Sequence, residues 1–131
     1  MDRLASVGIL LSRILLSGIF LISGASKIAA FSQTQAYMAD KGMHMTGVFL
    51  VLAILIEIGG GLMVLLGYFP RLGALALALY LLPVTAVFHR DFSAAGQAVQ
   101  FAKNLAILGG LLAIVSVGGG EFCFRRHGGS A

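Results

Sequence analysis

The chain is predicted to be all-α and polytopic: a bundle of four transmembrane helices, with a short interfacial helix between the first two spans. Three observations predict it. Hydrophobic residues make up 59% of the 131 positions and charged residues 11%, whereas a soluble domain carries about 25% charge. The mean hydropathy is +0.99. Apolar runs recur four times, each close to the roughly 20 residues that cross a bilayer core. So little polar surface cannot cover a water-soluble globule, and so apolar a chain does not stay disordered. A soluble enzyme is excluded, and residues 1–131 read as a single membrane domain.

The first span covers residues 7–29. Arg3 precedes it as in a signal peptide. Arg13, however, interrupts the apolar region, Lys27 falls where a small-residue cleavage site would stand, and three spans follow. The segment is therefore read as a mature helix. Residues 31–47 connect it to the second span, with Phe31, Gln35 and Met38 at helical spacing. This is the interfacial helix, closed by Gly42. The second span, 48–66, contains Glu57, and the tight turn 67–71 forces an antiparallel neighbour. The third, 72–88, contains Pro83, which membrane helices tolerate with a bend. The connection 89–100 leads to the fourth span, 101–117, which Gly118, Gly119 and Gly120 stop. The tail from Glu121 to His127 mixes aromatic and basic residues as an interfacial anchor does.

Four spans put both termini on one side. Arg3, Arg71, Arg125 and Arg126 fall on that side, Lys41 and Arg90 on the other. The positive-inside rule then makes the termini cytoplasmic. The net charge of +4 comes from scattered basic residues, which excludes a nucleic-acid partner. With one cysteine, Cys123, there is neither an internal disulfide nor a Cys-x-x-Cys pair. Met43-His44-Met45 offers soft donors suited to Cu(I). Adjacent loop residues chelate poorly, so no metal site is expected. No nucleophile–base set or acid pair suggests hydrolysis.

Ionisable groups in membrane helices are costly and mark functional or at least paired positions. In the first span Arg13, Ser17, Phe20, Gly24 and Lys27 form one stripe, which must face the bundle interior. Ala53, Glu57, Gly60 and Gly61 share a face of the second span, and Lys103, Ala106, Gly110 and Ala113 a face of the fourth. Small residues on such faces let helices approach closely. Depth counted from the span ends puts Arg13 and Glu57 within an arginine's reach, so a buried Arg13–Glu57 ion pair is expected. Lys27, His89, Lys103 and Asn104 converge at the non-cytoplasmic end and form the candidate ligand-binding cluster. A bland reading stands beside each. Lys27 and Lys103 lie close enough to the interface to snorkel, and a buried Arg–Glu pair can be purely structural.

The stretches Arg13-Ile14-Leu15, Phe20 through Lys27, Glu57 through Gly61 with Leu66-Gly67, Phe88-His89, and Lys103-Asn104-Leu105 with Gly109-Gly110 together resemble the DoxX family of small bacterial inner-membrane proteins. The resemblance runs from Arg13 to about Gly119. It implies a four-helix membrane bundle without implying one reaction. Relatives include a membrane subunit of a thiosulfate:quinone oxidoreductase and members of membrane-associated oxidative-stress complexes; many have no known activity. The family pattern falls on Arg13, Lys27, Glu57, His89, Lys103 and Asn104. The expectation is a membrane subunit of a redox system that binds a quinone or another small molecule at the polar cluster. Its partners would be the lipid bilayer, a membrane or periplasmic redox protein, and further copies of itself. Two rivals remain. One is a non-enzymatic anchor or assembly partner. The other is a small-anion or proton carrier, disfavoured by the lack of an inverted repeat.

Overall fold

The computed structural model describes residues 2–88 and 96–124. It contains helices α1 (Arg3–Ala29), α2 (Phe31–Asp40), α3 (Thr46–Leu66), α4 (Pro70–Phe88) and α5 (Gln97–Val117). All but α2 are long and apolar enough to cross a membrane. The predicted four-span bundle with a short helix between the first two spans is therefore the fold found.

The long helices start two to four residues before the apolar runs do, because capping and not hydropathy sets a helix start. Asp2 caps α1, its Oδ1 accepting from the Ala5 amide at 2.7 Å. Pro70 opens α4, where its missing N–H costs nothing. Pro83 lies inside α4, which continues past it to Phe88. Gly67 ends α3 in the left-handed region, at φ +70, with its amide on the Met63 carbonyl. A Cβ on Gly67 would also stand 2.6 Å from Arg13 Nη2 and 2.7 Å from Cys123 Cα. Conformation and space both demand glycine there.

The helices form a ring in chain order: α1 packs on α3, α3 on α4, α4 on α5, and α5 closes sparingly on α1. Glycines set the tight seams. A Cβ on Gly24 would meet the Ile58 side chain, and Gly60 and Gly73 face each other across α3 and α4. The core between the helices holds Phe20, Val64, Leu77, Leu81, Leu111 and Ile114. Leu15, Ile22, Leu55 and Leu79 are exposed, as expected where lipid is the solvent. On α2, Met38 is buried and Phe31 and Gln35 are half-buried, so the predicted stripe faces the bundle. Gly42, at φ +85, follows that helix.

The interior stripes of two helices agree with the sequence. Ser6, Arg13, Ser17, Phe20 and Gly24 are buried on α1; Ala53, Glu57, Gly60 and Gly61 are among those buried on α3. The predicted stripe of α5 is not its buried face. Asn104, Leu111 and Ile114 point into the core, while Lys103, Ala106 and Ala113 are exposed. Of its small residues, Gly110 lies against Leu16 of α1. The physical reason is that a neutral amide can be satisfied inside the bundle by one hydroxyl, whereas an ammonium needs water or a counter-charge.

Candidate functional site

The polar interior divides into three levels. At the end that holds Asp2 and the α3–α4 turn, Arg13 is 1% exposed. Its Nε donates to the Val64 carbonyl at 2.8 Å and its Nη2 to the Leu65 carbonyl at 3.0 Å. Its Nη1 donates to the carbonyls of Gly119 (2.9 Å) and Phe122 (2.7 Å). The last four carbonyls of any helix have no intrahelical donor. Here Met63 is served by Gly67 and Tyr68, Val64 and Leu65 by Arg13, and Leu66 by the Phe124 amide. Arg13 thus caps α3 from another helix and fastens residues 119–122 beneath it. The Ser6 hydroxyl, accepting from the Glu121 amide at 3.2 Å, adds a second fastening.

The middle level holds Glu57, 3% exposed. Its partner is Lys27, not Arg13. Lys27 Nζ lies 2.9 Å from Oε1 and 3.3 Å from Oε2. The Tyr80 hydroxyl donates to Oε1 in a short hydrogen bond, and Lys27 also donates to Ser23 Oγ at 2.7 Å. Side chains from α1, α3 and α4 are joined in one chain: Ser23, Lys27, Glu57, Tyr80. The expected Arg13–Glu57 pair is corrected by the register of the helices. Close contacts of Gly61 with Ser17 and of Gly24 with Glu57 set α1 against α3. That register places Arg13 beside Val64 and Leu65 and places Glu57 within one turn of Lys27. Depth counted from span ends missed this, because helix ends do not fix packing register.

The third level joins α4 and α5. Asn104, 6% exposed, donates through Nδ2 to Thr85 Oγ1 at 3.0 Å and accepts from Gln100 Nε2 at 3.3 Å. Of the four residues in the predicted cluster, Lys27 and Asn104 are inside the bundle and Lys103 is exposed on α5. The fourth, His89, lies outside the described residues. Sequence reasoning missed Ser23, Tyr80, Thr85 and Gln100. A usable signal existed for Tyr80: a phenol in mid-span must find a partner for its O–H, and Glu57 is the buried acceptor. Among the described residues, no buried side-chain nitrogen or oxygen lacks a partner. Nor does any group of three His, Cys, Asp or Glu side chains among them suit a metal ion.

Four apolar helices with buried, internally paired ions define a small multi-pass membrane protein. The DoxX family model matches residues 8–90. The chain is 38% identical over 126 residues to "Inner membrane protein YqjF" of Escherichia coli (strain K12), covering 96% of this chain and 95% of that one. It is 30% identical over 124 residues to "Inner membrane protein YphA" of the same organism, covering 91% and 89%. The chain belongs to the DoxX family and is a multi-pass inner-membrane protein. No solved structure matches it.

Proposed function

We propose that the protein is the membrane subunit of a redox system, binding an isoprenoid quinone at its non-cytoplasmic end. The observation that carries this reading is the Lys27–Glu57 pair, bonded to Tyr80 on one side and Ser23 on the other. Glu57 is enclosed, but the Lys27 side chain retains 24% exposure. Its ammonium is held by Ser23 Oγ and Glu57 Oε1, and the N–H on the longer 3.3 Å contact to Oε2 is the one that can turn to an electron-rich carbonyl oxygen. Glu57 orients Lys27, and Tyr80 orients Glu57. Lys103 and His89 are assigned to the same ligand end, with Asn104 holding α5 to α4 beneath it. A bound quinone would carry the electrons, and a membrane or periplasmic redox protein would supply them. The protein's own part is binding, orientation and electrostatics. Both termini are assigned to the cytoplasm.

The test is equilibrium binding of a polyprenyl benzoquinone to the purified protein in nanodiscs. Saturable binding that Lys27→Met weakens about tenfold, a difference of about 1.4 kcal/mol, supports the reading. No saturable binding to the wild-type protein removes it.

One observation favours a second reading, a structural assembly subunit. Every buried polar side chain in the described residues is already satisfied within the bundle, as in a scaffold that needs no ligand. Recovery of a stable complex with a second membrane protein, unaffected by Lys27→Met, would select it.

A further inference from the structure

The two halves of α5 are held by different forces. Toward Arg13, Leu111 and Ile114 sit in the apolar core. Beyond them Gly118 lies against Arg71 and Gly119 against Pro70, and the Arg13 guanidinium holds the carbonyls of Gly119 and Phe122. In the other half Ala98, Val99, Ala102, Lys103, Leu105 and Ala106 are exposed. Among the described side chains of that half, Asn104 is the buried one. Its partners are neutral: Thr85 of α4 at 3.0 Å and Gln100 at 3.3 Å. Segments with few buried apolar contacts are the ones that open first. Gly109 and Gly110 stand between the two halves, and a glycine pair is a point where helices bend.

Helix α4 has a matching break. Before it, α4 is tied to α3 by the Gly60–Gly73 seam and by the Tyr80 hydroxyl on Glu57. After it, Thr85 ties α4 to Asn104 of α5. Pro83 stands between these two ties, exposed, with no N–H to offer the carbonyl of Leu79. Meanwhile α1 and α3 are locked together by the Lys27–Glu57 pair and by Gly24 packed on Ile58.

We propose that α4 beyond Pro83 and α5 before Gly109 swing as one unit, coupled through Thr85 and Asn104, and that this motion gates the bundle at the Lys27 end. Counting along both antiparallel helices from the Leu16–Gly110 contact sets Val99 at the height of Lys27. The seam that parts is the one between α5 and α1, where the ring of helices is least closed. A bend of about 20° over the roughly 15 Å from Gly109 to Val99 carries Val99 about 5 Å outward. The gate controls access to the Lys27–Glu57 level whatever ligand is taken there, so it stands apart from the quinone reading.

The experiment measures spin-label distances by double electron–electron resonance in nanodiscs, in a Cys123→Ser background. One pair, Ile28→Cys with Val99→Cys, spans the α1–α5 seam at the Lys27 end; the other, Leu11→Cys with Leu112→Cys, spans it at the Arg13 end. All four positions are exposed. The expected result is a distribution for the first pair that extends about 5 Å beyond its closed distance, and a single narrow distance for the second. Gly109→Ala, whose Cβ would meet nothing within 4 Å, and Pro83→Ala each stiffen one arm, and each should narrow the first distribution while leaving the second as it is. A first distribution as narrow as the second in the otherwise unaltered protein overturns the inference. So does a broad one that neither variant narrows.

Discussion

Arg13 Nε stands 2.8 Å from the carbonyl oxygen of Val64, so a charged side chain of the first helix completes the end of the second long one. A neutral donor could cap one carbonyl. The guanidinium, with five N–H groups in a rigid fork, reaches two carbonyls of α3 and two of the tail. The charge is diffuse, and the negative end of the α3 dipole lies against it. This accounts for a buried arginine with no carboxylate partner among the described residues.

Arg13→Lys should therefore loosen the tail even though it keeps the charge. A single ammonium cannot span four carbonyls, and hydrogen bonds to charged groups contribute about 1.5–3 kcal/mol each. Loss of about 1.4 kcal/mol of tail docking corresponds to a tenfold rise in the open population. The rate at which Cys123 reacts with a maleimide in detergent micelles should increase by about that factor. An unchanged rate would mean the tail is held by Ser6 and packing alone.

The Lys27–Glu57 pair should respond asymmetrically to truncation. Lys27→Met leaves a buried carboxylate with the Tyr80 hydroxyl as its remaining donor and no counter-charge, and stranding a buried charge costs about 3–5 kcal/mol. Glu57→Gln leaves an ammonium that is still bonded to Ser23 and sits near the helix end, where it can snorkel. Thermal unfolding of the purified protein should show Lys27→Met as the more damaging change. The double variant Lys27→Met/Glu57→Gln should be more stable than Lys27→Met alone. Equal, additive losses would show that the two groups do not couple.

The seam between α3 and α4 depends on two glycines. A Cβ on Gly73 would lie 2.7 Å from Met63 Cβ and 3.1 Å from the Gly60 carbonyl oxygen, whereas Gly59 and Gly109 have nothing within 4 Å. Overpacking costs about 1–3 kcal/mol when the surroundings cannot yield. Gly73→Ala should lower the unfolding midpoint clearly. Gly59→Ala and Gly109→Ala should raise it slightly or leave it unchanged, since alanine is the better helix former.

The stripes of α1 and α3 could be read from sequence because polar and small residues recur there at helical spacing among large apolar ones. Which charges meet could not be read. Gly24 against Ile58 and Gly61 against Leu21 fix how far α1 slides along α3, and a slide of two turns exchanges the partner of Glu57 from Arg13 to Lys27. The α5 face was misread for a related reason. Lys103, Ala106 and Gly110 do form a stripe, but Lys103 and Ala106 are exposed, Gly110 lies toward α1, and neutral Asn104 takes the interior place beside Thr85. Arg13's partners are backbone carbonyls of residues 64, 65, 119 and 122, and side-chain patterning carries no trace of such contacts.

Orientation can be tested with the chain's one cysteine. Cys123 is tied to the end of the bundle that also holds Ser6, Arg13 and the α3–α4 turn. Lys41 lies at the opposite end, between α2 and α3. Arg3 and Arg71 fall at the Cys123 end, and a surplus of basic residues marks the cytoplasmic side. A membrane-impermeant maleimide should therefore leave Cys123 unlabelled in intact spheroplasts and label it in inverted vesicles. Asp40→Cys in a Cys123→Ser background should behave the opposite way, since Asp40 is exposed at the end of α2. Labelling of Cys123 from outside intact cells would invert the assignment. It would also place the Lys27–Glu57 pair toward the cytoplasmic face, and the proposed redox partner would then be sought in the cytoplasm.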